Sequence, residues 1–187
     1  MKTFNQQLGV GLIEVLVAVL VLSVGILGLV SMQLTAKRTG NESVQRITAV
    51  YLAQGLAEKM RMNKGQLPAY VLDWPNETPA AAGTDCSAAA CTAEQLAAYD
   101  LNQWITELQG AAELRTVAGS DISTGGLLDP SACVTNNAGM VTIAIAWKGF
   151  RAMSNPSSTS CGEDTGLYGT DNVHRQVMSF STYMSIF

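Results

Sequence analysis

The chain begins with a long run of apolar positions. From Val10 to Val30 almost every residue is aliphatic or glycine, and Glu14 is the one charged residue in the run. A helix that rises about 1.5 Å per residue needs this length to cross the roughly 30 Å hydrocarbon core of a bilayer. The pattern therefore predicts a membrane-spanning helix over residues 10–34. Because an ionised group at the centre of such a helix costs on the order of 2.5–3.5 kcal/mol, we interpret Glu14 as functional.

The helical pattern continues beyond the apolar run. No strong helix breaker follows Leu34 until residues 63–65. Apolar residues recur there at a spacing of three and four, at Ala49, Leu52, Ala53, Leu56, Ala57 and Met60. This spacing predicts an amphipathic continuation over residues 35–62, so that one helix runs from Val10 to about Met62. Its apolar stripe is expected to pack on a globular domain formed by residues 63–187.

Within that domain, the pattern first predicts a loop and then a second helix. Proline, alanine, glycine and threonine dominate Gly65 to Cys91, which indicates an irregular connection. Thr92 and Gln95 have the spacing of a capping box. The apolar residues that follow have helical spacing over about 16 residues. They are Ala97, Leu101, Trp104, Ile105 and Leu108.

The remaining patterns are typical of β-strands. Apolar and small or polar residues alternate over Met140–Trp147 and over Val173–Phe187, and a shorter strand is predicted at Leu114–Val117. Consecutive strands joined by turn-rich loops predict an antiparallel meander, with the second half of the first helix on its apolar face. The predicted fold class is α+β.

Charge and motifs exclude several classes of function. The chain has 11 basic and 15 acidic residues, a net charge of −4, and no basic cluster beyond Lys37 and Arg38. Nucleic-acid binding is therefore not expected. His174 is the single histidine, and neither a P-loop nor a paired-carboxylate motif occurs. We predict that the chain is not an enzyme and binds no cofactor.

Four cysteines follow the apolar run: Cys86, Cys91, Cys133 and Cys161. An even number on one side of a membrane indicates an oxidising compartment and disulfides. Three pairings are possible. We favour Cys86 with Cys91 and Cys133 with Cys161, because the second pair would tie the polar segment 148–172 to the sheet. Zinc is the alternative, and a single histidine argues against it.

The basic residues around the apolar run suggest the opposite orientation. Lys2 precedes the run, whereas Lys37 and Arg38 follow it. The positive-inside rule would then place the C-terminal part in the cytoplasm. We give the cysteines more weight and predict a periplasmic C-terminal domain.

The N-terminal residues resemble a known signal. The leader MKTFNQQLG ends at Gly9, and Val10, Gly11, Leu12, Ile13 and Glu14 follow it. This arrangement resembles the type IV prepilin signal. The resemblance implies that a prepilin peptidase removes residues 1–9 between Gly9 and Val10 and methylates the new N-terminus at Val10. It also implies that Glu14, the fifth mature residue, pairs with the terminal amine of a neighbouring subunit.

Two longer segments resemble the minor pilins of type IV pili. They are GLIEVLVAVLVLSVGILGLVSMQ (residues 11–33) and AAYDLNQW (residues 97–104), and Ser31 stands where major pilins usually have proline. The resemblance implies the type IV pilin fold and a non-enzymatic subunit that is anchored in the inner membrane and later located at the pilus tip. It implies a role in priming pilus assembly, in twitching motility and in adhesion.

The same resemblance implies a set of partners. They are other minor pilins, the major pilin, a tip adhesin, the prepilin peptidase and the inner-membrane assembly platform. The nearest alternative is a minor pseudopilin of a type II secretion system, whose N-terminal helix is very similar. A membrane-anchored periplasmic enzyme or binding domain is a more remote alternative.

Overall fold

The computed structural model describes residues 11–111, 113–117, 120–123 and 125–184. Its helices are α1 (Leu12–Met62) and α2 (Ala93–Leu108), with short 3₁₀ helices at Lys64–Tyr70, Glu163–Thr165 and Thr170–Asn172. Its strands are β1 (Leu72–Trp74), β2 (Leu114–Val117), β3 (Ser120–Ser123), β4 (Ser131–Asn137), β5 (Met140–Lys148) and β6 (Arg175–Tyr183). The chain forms two units, one up to Asn41 and one from Glu42 onward.

Helix α1 is continuous over 51 residues, as the sequence pattern predicts from Leu12 onward. The predicted start at Val10 lies outside the described residues. In the second unit, α1 supplies one apolar stripe to the core, and Leu52 at its margin is partly buried. The fully packed members of the stripe are Ala49, Ala53, Leu56, Ala57 and Met60.

Helix α2 begins at the predicted capping box and has the predicted length of 16 residues. The Gln95 N–H donates to Thr92 Oγ1 over 3.2 Å, and the Thr92 N–H donates to Gln95 Oε1 over 2.9 Å. Two unpaired N–H groups at the helix start are thereby satisfied. The indole Nε1 of Trp104 donates to the Leu52 carbonyl oxygen over 2.9 Å and joins α2 to α1.

A buried polar cluster joins the end of α1 to α2. The Tyr70 hydroxyl donates to Asp100 Oδ2 over 2.6 Å, and the side-chain amide of Asn63 donates to the Ala93 carbonyl oxygen over 2.7 Å. Burial, with the hydrogen bond to Asp100, raises the pKa of Tyr70 well above its ordinary value. The hydroxyl therefore stays protonated and keeps donating.

The main sheet is antiparallel and has the order β1-β4-β5-β6. The predicted antiparallel pairing is confirmed for β5 and β6, whereas β4, which continues the meander on the other side of β5, was not predicted. In the central rows, Val134 lies opposite Ile143 and Ile143 lies opposite Phe180. The predicted strand at Leu114–Val117 is also confirmed, as β2, which pairs with β3 in a separate two-stranded sheet.

Two sequence predictions about the sheet need correction. Gly65–Cys91 is not irregular throughout, because it contains most of a 3₁₀ helix and strand β1. Strand β1 forms because Leu72 is buried and pairs with Val134, a partner distant in sequence. The predicted strand Val173–Phe187 starts later, at Arg175, because residues 173–174 form a turn, and its predicted last three residues lie outside the described residues.

Candidate assembly site

The first unit is an apolar helix surface. Its leucine, isoleucine and valine side chains from Leu12 to Leu34 are exposed, and Leu12 is 83% exposed. Of the described helices, α1 is the one long and apolar enough to cross a membrane; its most apolar 18-residue stretch has a mean hydropathy of 2.8, and none of that stretch is buried in the protein. Such a surface requires lipid or other apolar helices around it.

Glu14 lies in the first turn of this helix. Its backbone N–H donates to the Gly11 carbonyl oxygen over 2.8 Å. A carboxylate at this end of a helix is favoured by the partial positive charge of the unpaired N–H groups. No salt bridge among the described residues involves Glu14. The predicted cleavage and methylation residues, Gly9 and Val10, lie outside the described residues.

Hydroxyl groups within the apolar segment bond back to the helix. Ser23 Oγ donates to the Val19 carbonyl oxygen over 2.7 Å, and Ser31 Oγ donates to the Leu27 carbonyl oxygen over 3.1 Å. Thr35 repeats the arrangement. Each of these hydroxyl protons is satisfied within one helix, which lowers the cost of placing it in hydrocarbon.

Gly25 and Gly28 are two glycines on the surface of the apolar helix, where they present no side chain. A Cβ atom added at either glycine would meet nothing within 4 Å in the described structure. The packing of this chain alone therefore does not require glycine there. Small residues on a helix surface permit another helix to approach closely.

In the second unit, an arginine anchors the long polar loop that precedes β6. Arg175 has no exposed surface, and its guanidinium uses all five N–H groups as donors. The acceptors are the side-chain oxygens of Asn155 (2.8 Å) and Glu163 (2.7 Å) and the carbonyl oxygens of Pro156 (2.6 Å), Thr159 (2.9 Å) and Cys161 (2.7 Å). One side chain thus fixes the loop from residue 155 to residue 163.

Two further attachments hold the same loop. A disulfide joins Cys133 on β4 to Cys161. The buried Tyr168 hydroxyl donates to the Asp129 carbonyl oxygen over 3.1 Å and lies 2.7 Å from the hydroxyl of Ser131. Burial raises the pKa of Tyr168 to about 12. By contrast, residues 150–154, which precede the anchored part of the loop, are exposed.

The cysteine pairing is the one that the sequence analysis favours, with the second disulfide between Cys86 and Cys91. The four cysteines lie in the second unit and Glu14 lies in the first. Sequence reasoning did not identify the anchoring roles of Arg175 and Tyr168. The available signal was a lone arginine directly before an otherwise uncharged strand pattern.

Candidate metal ligands are not clustered in the described residues. Within the described part of the chain, no group of histidine, cysteine, aspartate and glutamate side chains is arranged to hold a metal ion. The loop contacts described above are all structural hydrogen bonds or a disulfide.

A comparison with known protein families found similarity to a pilin family. The model of the Tt1218-like family, described as type IV pilin Tt1218, matches residues 31–102. The match supports a type IV pilin. It begins near the end of the apolar segment and includes the rest of α1, β1 and most of α2. No curated protein and no solved structure matched the chain.

The match to a type IV pilin family agrees with the architecture of the chain. The long apolar helix and its antiparallel sheet agree with the type IV pilin fold, and pilins are structural subunits. The membrane-like helix near the N-terminus agrees with anchoring of a pilin. Glu14 and the disulfide between Cys133 and Cys161 lie outside the matched residues.

Proposed function

We propose that the chain is a minor pilin of the PilV-like type, which helps to prime assembly of a type IV pilus and is incorporated at its tip. In this proposal residues 1–9 are a cleaved leader and residues 10–34 form the membrane and filament-core helix. Residues 35–62 continue the helix, and residues 63–187 form the periplasmic domain. Partners are other minor pilins, the major pilin, a tip adhesin, the prepilin peptidase and the inner-membrane platform.

The observation that carries the proposal is the exposed apolar helix that has Glu14 in its first turn. The aliphatic surface is suited first to the bilayer and then to a bundle of similar helices. A carboxylate in that setting needs a positive partner, and no described salt bridge provides one. A methylated terminal amine at Val10 of a neighbouring subunit would supply the charge and fix the axial register between the two helices.

Two features support a minor rather than a bulk role. Ser31 lies within uninterrupted helix and donates to the Leu27 carbonyl oxygen, whereas major pilins usually have proline at this point. A helix without that proline keeps its backbone hydrogen bonds through the apolar segment. Gly25 and Gly28 would let the helices of a few different minor pilins pack closely in the inner membrane.

The anchored loop supplies a surface for unlike neighbours. Its exposed polar residues lie on a segment that the disulfide and Arg175 hold in place. A surface that is already ordered loses little conformational entropy when a partner binds. The globular domains of several minor pilins would then form a platform onto which the major subunits add.

A deletion strain tests the proposal. We expect loss of surface pili and of twitching motility, with protein secretion unchanged, and we expect restoration by the wild-type gene. Loss of secretion with normal twitching would instead indicate a type II pseudopilin.

Quantitative mass spectrometry of sheared pili tests the minor role separately. The chain should be present at a small fraction of the dominant pilin. If it is the dominant species, the minor, priming role is wrong even if the pilin assignment stands.

A further inference from the structure

The two edges of the main sheet differ in whether their backbone groups are already bonded. Strand β1 forms one edge and β6 forms the other. Edge strands present unpaired N–H and C=O groups that can pair with another chain, and proteins usually protect them.

The β1 edge is protected. The strand has only three residues and ends at Trp74, directly before Pro75, which has no N–H to donate. The carbonyl oxygen of Asp73, at the strand's centre, already accepts from the Glu77 N–H over 2.7 Å. Little of this edge is left for another strand to join, because β1 is short, the Asp73 side chain is charged and the Asp73 carbonyl oxygen is already bonded.

The β6 edge is open. The Met184 N–H donates to the Gly139 carbonyl oxygen over 2.8 Å, and the Gly149 N–H donates to the His174 carbonyl oxygen over 2.8 Å. Even-numbered residues of β6 therefore point their backbone groups toward β5, and odd-numbered residues point theirs away from it. Beyond Arg175, at the start of the strand, the outward set is Val177, Ser179, Ser181 and Tyr183.

These outward groups have no partner in the described part of the chain. Strand β5 is the only neighbour of β6 in the sheet as described. Among the described loops, the backbone hydrogen bond nearest to the outward groups is the one from the Met153 N–H to the Val173 carbonyl oxygen, before the strand begins. The free edge spans roughly 20 Å at about 3.4 Å per residue. Residues 176–183 also contain no charged residue and no proline. The segment itself therefore lacks charge and proline as protection against strand pairing; the charged side chain that contacts it, Arg61 on α1, donates to the Thr182 hydroxyl near its end.

The apolar side chains of the core are also incompletely covered along this edge. Ile143 and Ile145 on β5 are fully buried, whereas their partners on β6, Phe180 and Met178, are only partly buried. An added strand would place alternate side chains beside Phe180 and Met178 and the others beside the polar side chains of Ser179 and Ser181. The first set would need to be apolar, and the second set would best be polar.

We propose that β6 accepts an extended, uncharged strand from another protein, in which apolar and polar residues alternate. Backbone hydrogen bonds to the four outward residues supply the affinity, and the apolar positions beside Phe180 and Met178 set the register. The inference goes beyond the proposed pilin role and does not depend on it, because it rests on the sheet edge alone.

The experiment uses the full chain in detergent and a capped peptide that alternates valine and threonine. Residue-resolved amide exchange is measured with and without the peptide. The amides of the four outward residues should exchange on the order of tenfold more slowly when about nine-tenths of the edge is occupied. The amides of Met178, Phe180 and Thr182, already bonded to β5, should not change. A control peptide with every amide methylated should protect nothing.

A proline variant tests the same edge from the protein side. Ser179→Pro removes one outward N–H and leaves the β5 ladder bonds in place, because edge strands tolerate proline on their free side. Peptide binding should weaken by about tenfold or more, since one backbone hydrogen bond is lost and its peptide acceptor is left unpaired. The matched control Ser179→Ala removes the hydroxyl but keeps the N–H, and should bind like wild type.

Three outcomes would overturn the proposal. One is no peptide-dependent protection of the outward amides in the wild-type chain. Another is equal protection by the fully methylated peptide, which would show that backbone pairing is not involved. The third is protection that rises with the concentration of the chain and not with peptide, which would make a second copy the occupant. The wild-type measurements decide the matter even if Ser179→Pro fails to fold.

Discussion

Arg175 donates from Nη2 to Glu163 Oε1 over 2.7 Å, and this contact pairs a fully buried guanidinium with a carboxylate whose side chain is 33% exposed. Glu163 also accepts from the Asn155 side-chain amide over 3.1 Å, at the same oxygen. The carboxylate is the one anion among the five hydrogen-bond acceptors of Arg175. It therefore balances the charge of the anchor, whereas the other acceptors only solvate it.

Removal of Glu163 should destabilise the second unit. Glu163→Ala leaves a buried cation without its anion and is expected to lower the free energy of unfolding by about 2 kcal/mol. Glu163→Gln retains an acceptor and should cost roughly half as much. Urea unfolding without reductant measures both. The control Glu77→Ala, on an exposed side chain, should change stability by less than about 0.5 kcal/mol. Equal values for all three variants would contradict the charge-balancing role.

The two disulfides should contribute unequally. Their sequence separations are 28 for Cys133 and Cys161 and 5 for Cys86 and Cys91. The chain-entropy relation gives about 3.6 kcal/mol for the longer loop and about 2 kcal/mol for the shorter one. Replacing each pair by alanines should reproduce that order in urea unfolding. A larger loss from the shorter loop would show that loop entropy is not the dominant contribution.

Alkaline pH should weaken the attachment at Tyr168. The folded-state pKa of about 12 is above the ordinary value of 10.0, so the folded protein holds the phenol proton more tightly than the unfolded chain. The resulting stability is fully present below about pH 10 and is lost as pH rises toward about 12. Tyr70, whose pKa is also raised, adds to the same loss.

Tyr168→Phe should separate the contribution of Tyr168 to this loss of stability from that of Tyr70. The variant should lose about 1 kcal/mol at neutral pH, because the hydrogen bonds of the hydroxyl are gone. Its stability should also fall less steeply than that of wild type between pH 10 and 12. Unfolding curves across this range measure both effects, with the exposed Tyr183→Phe as the control. A slope identical to that of wild type would rule out Tyr168 as a contributor.

Processing should produce a chain that begins at Val10. Intact-mass analysis of the membrane-extracted protein should give the mass of residues 10–187 with one added methyl group. Gly9→Val should block cleavage and leave the full chain, since the resemblance places the cleavage site directly after Gly9. A mature start near Thr35, or a retained Met1 in the wild-type protein, would refute the prepilin interpretation.

Loss of the charge at Glu14 should impair assembly without unfolding the second unit. Both Glu14→Ala and Glu14→Gln should insert into the membrane but fail to restore pili in a deletion strain, because a salt bridge to a neighbouring amine needs the charge. Ser23→Ala, in the same segment, is the control and should restore pili. If Glu14→Gln assembles normally, the carboxylate serves only as a polar group at the helix start.

Local patterns made α1 and α2 predictable from the sequence. The stripe from Ala49 to Met60 and the capping box at Thr92 depend on residues a few positions apart, and the structure has both helices where the pattern places them. Strand β5 was equally clear, because Val141, Ile143 and Ile145 alternate within one segment.

The missed elements depend on partners distant in sequence. Strand β1 has three residues and forms through Leu72 pairing with Val134. Strand β4 carries few apolar residues, and its polar positions hide the alternation. The anchor at Arg175 uses carbonyl oxygens that every residue possesses, so no side-chain motif indicates it. Such contacts become visible only when the chain is folded.

The anchoring of the polar loop affects how the protein can change during evolution. Arg175, the disulfide at Cys161 and the Tyr168 hydroxyl hold the loop mainly through main-chain atoms or through side chains that point inward. The exposed side chains of residues 150–154, directly before the first of these attachments, take no part in those bonds. Substitutions there would leave these attachments in place, so the same anchored backbone can carry different exposed side chains.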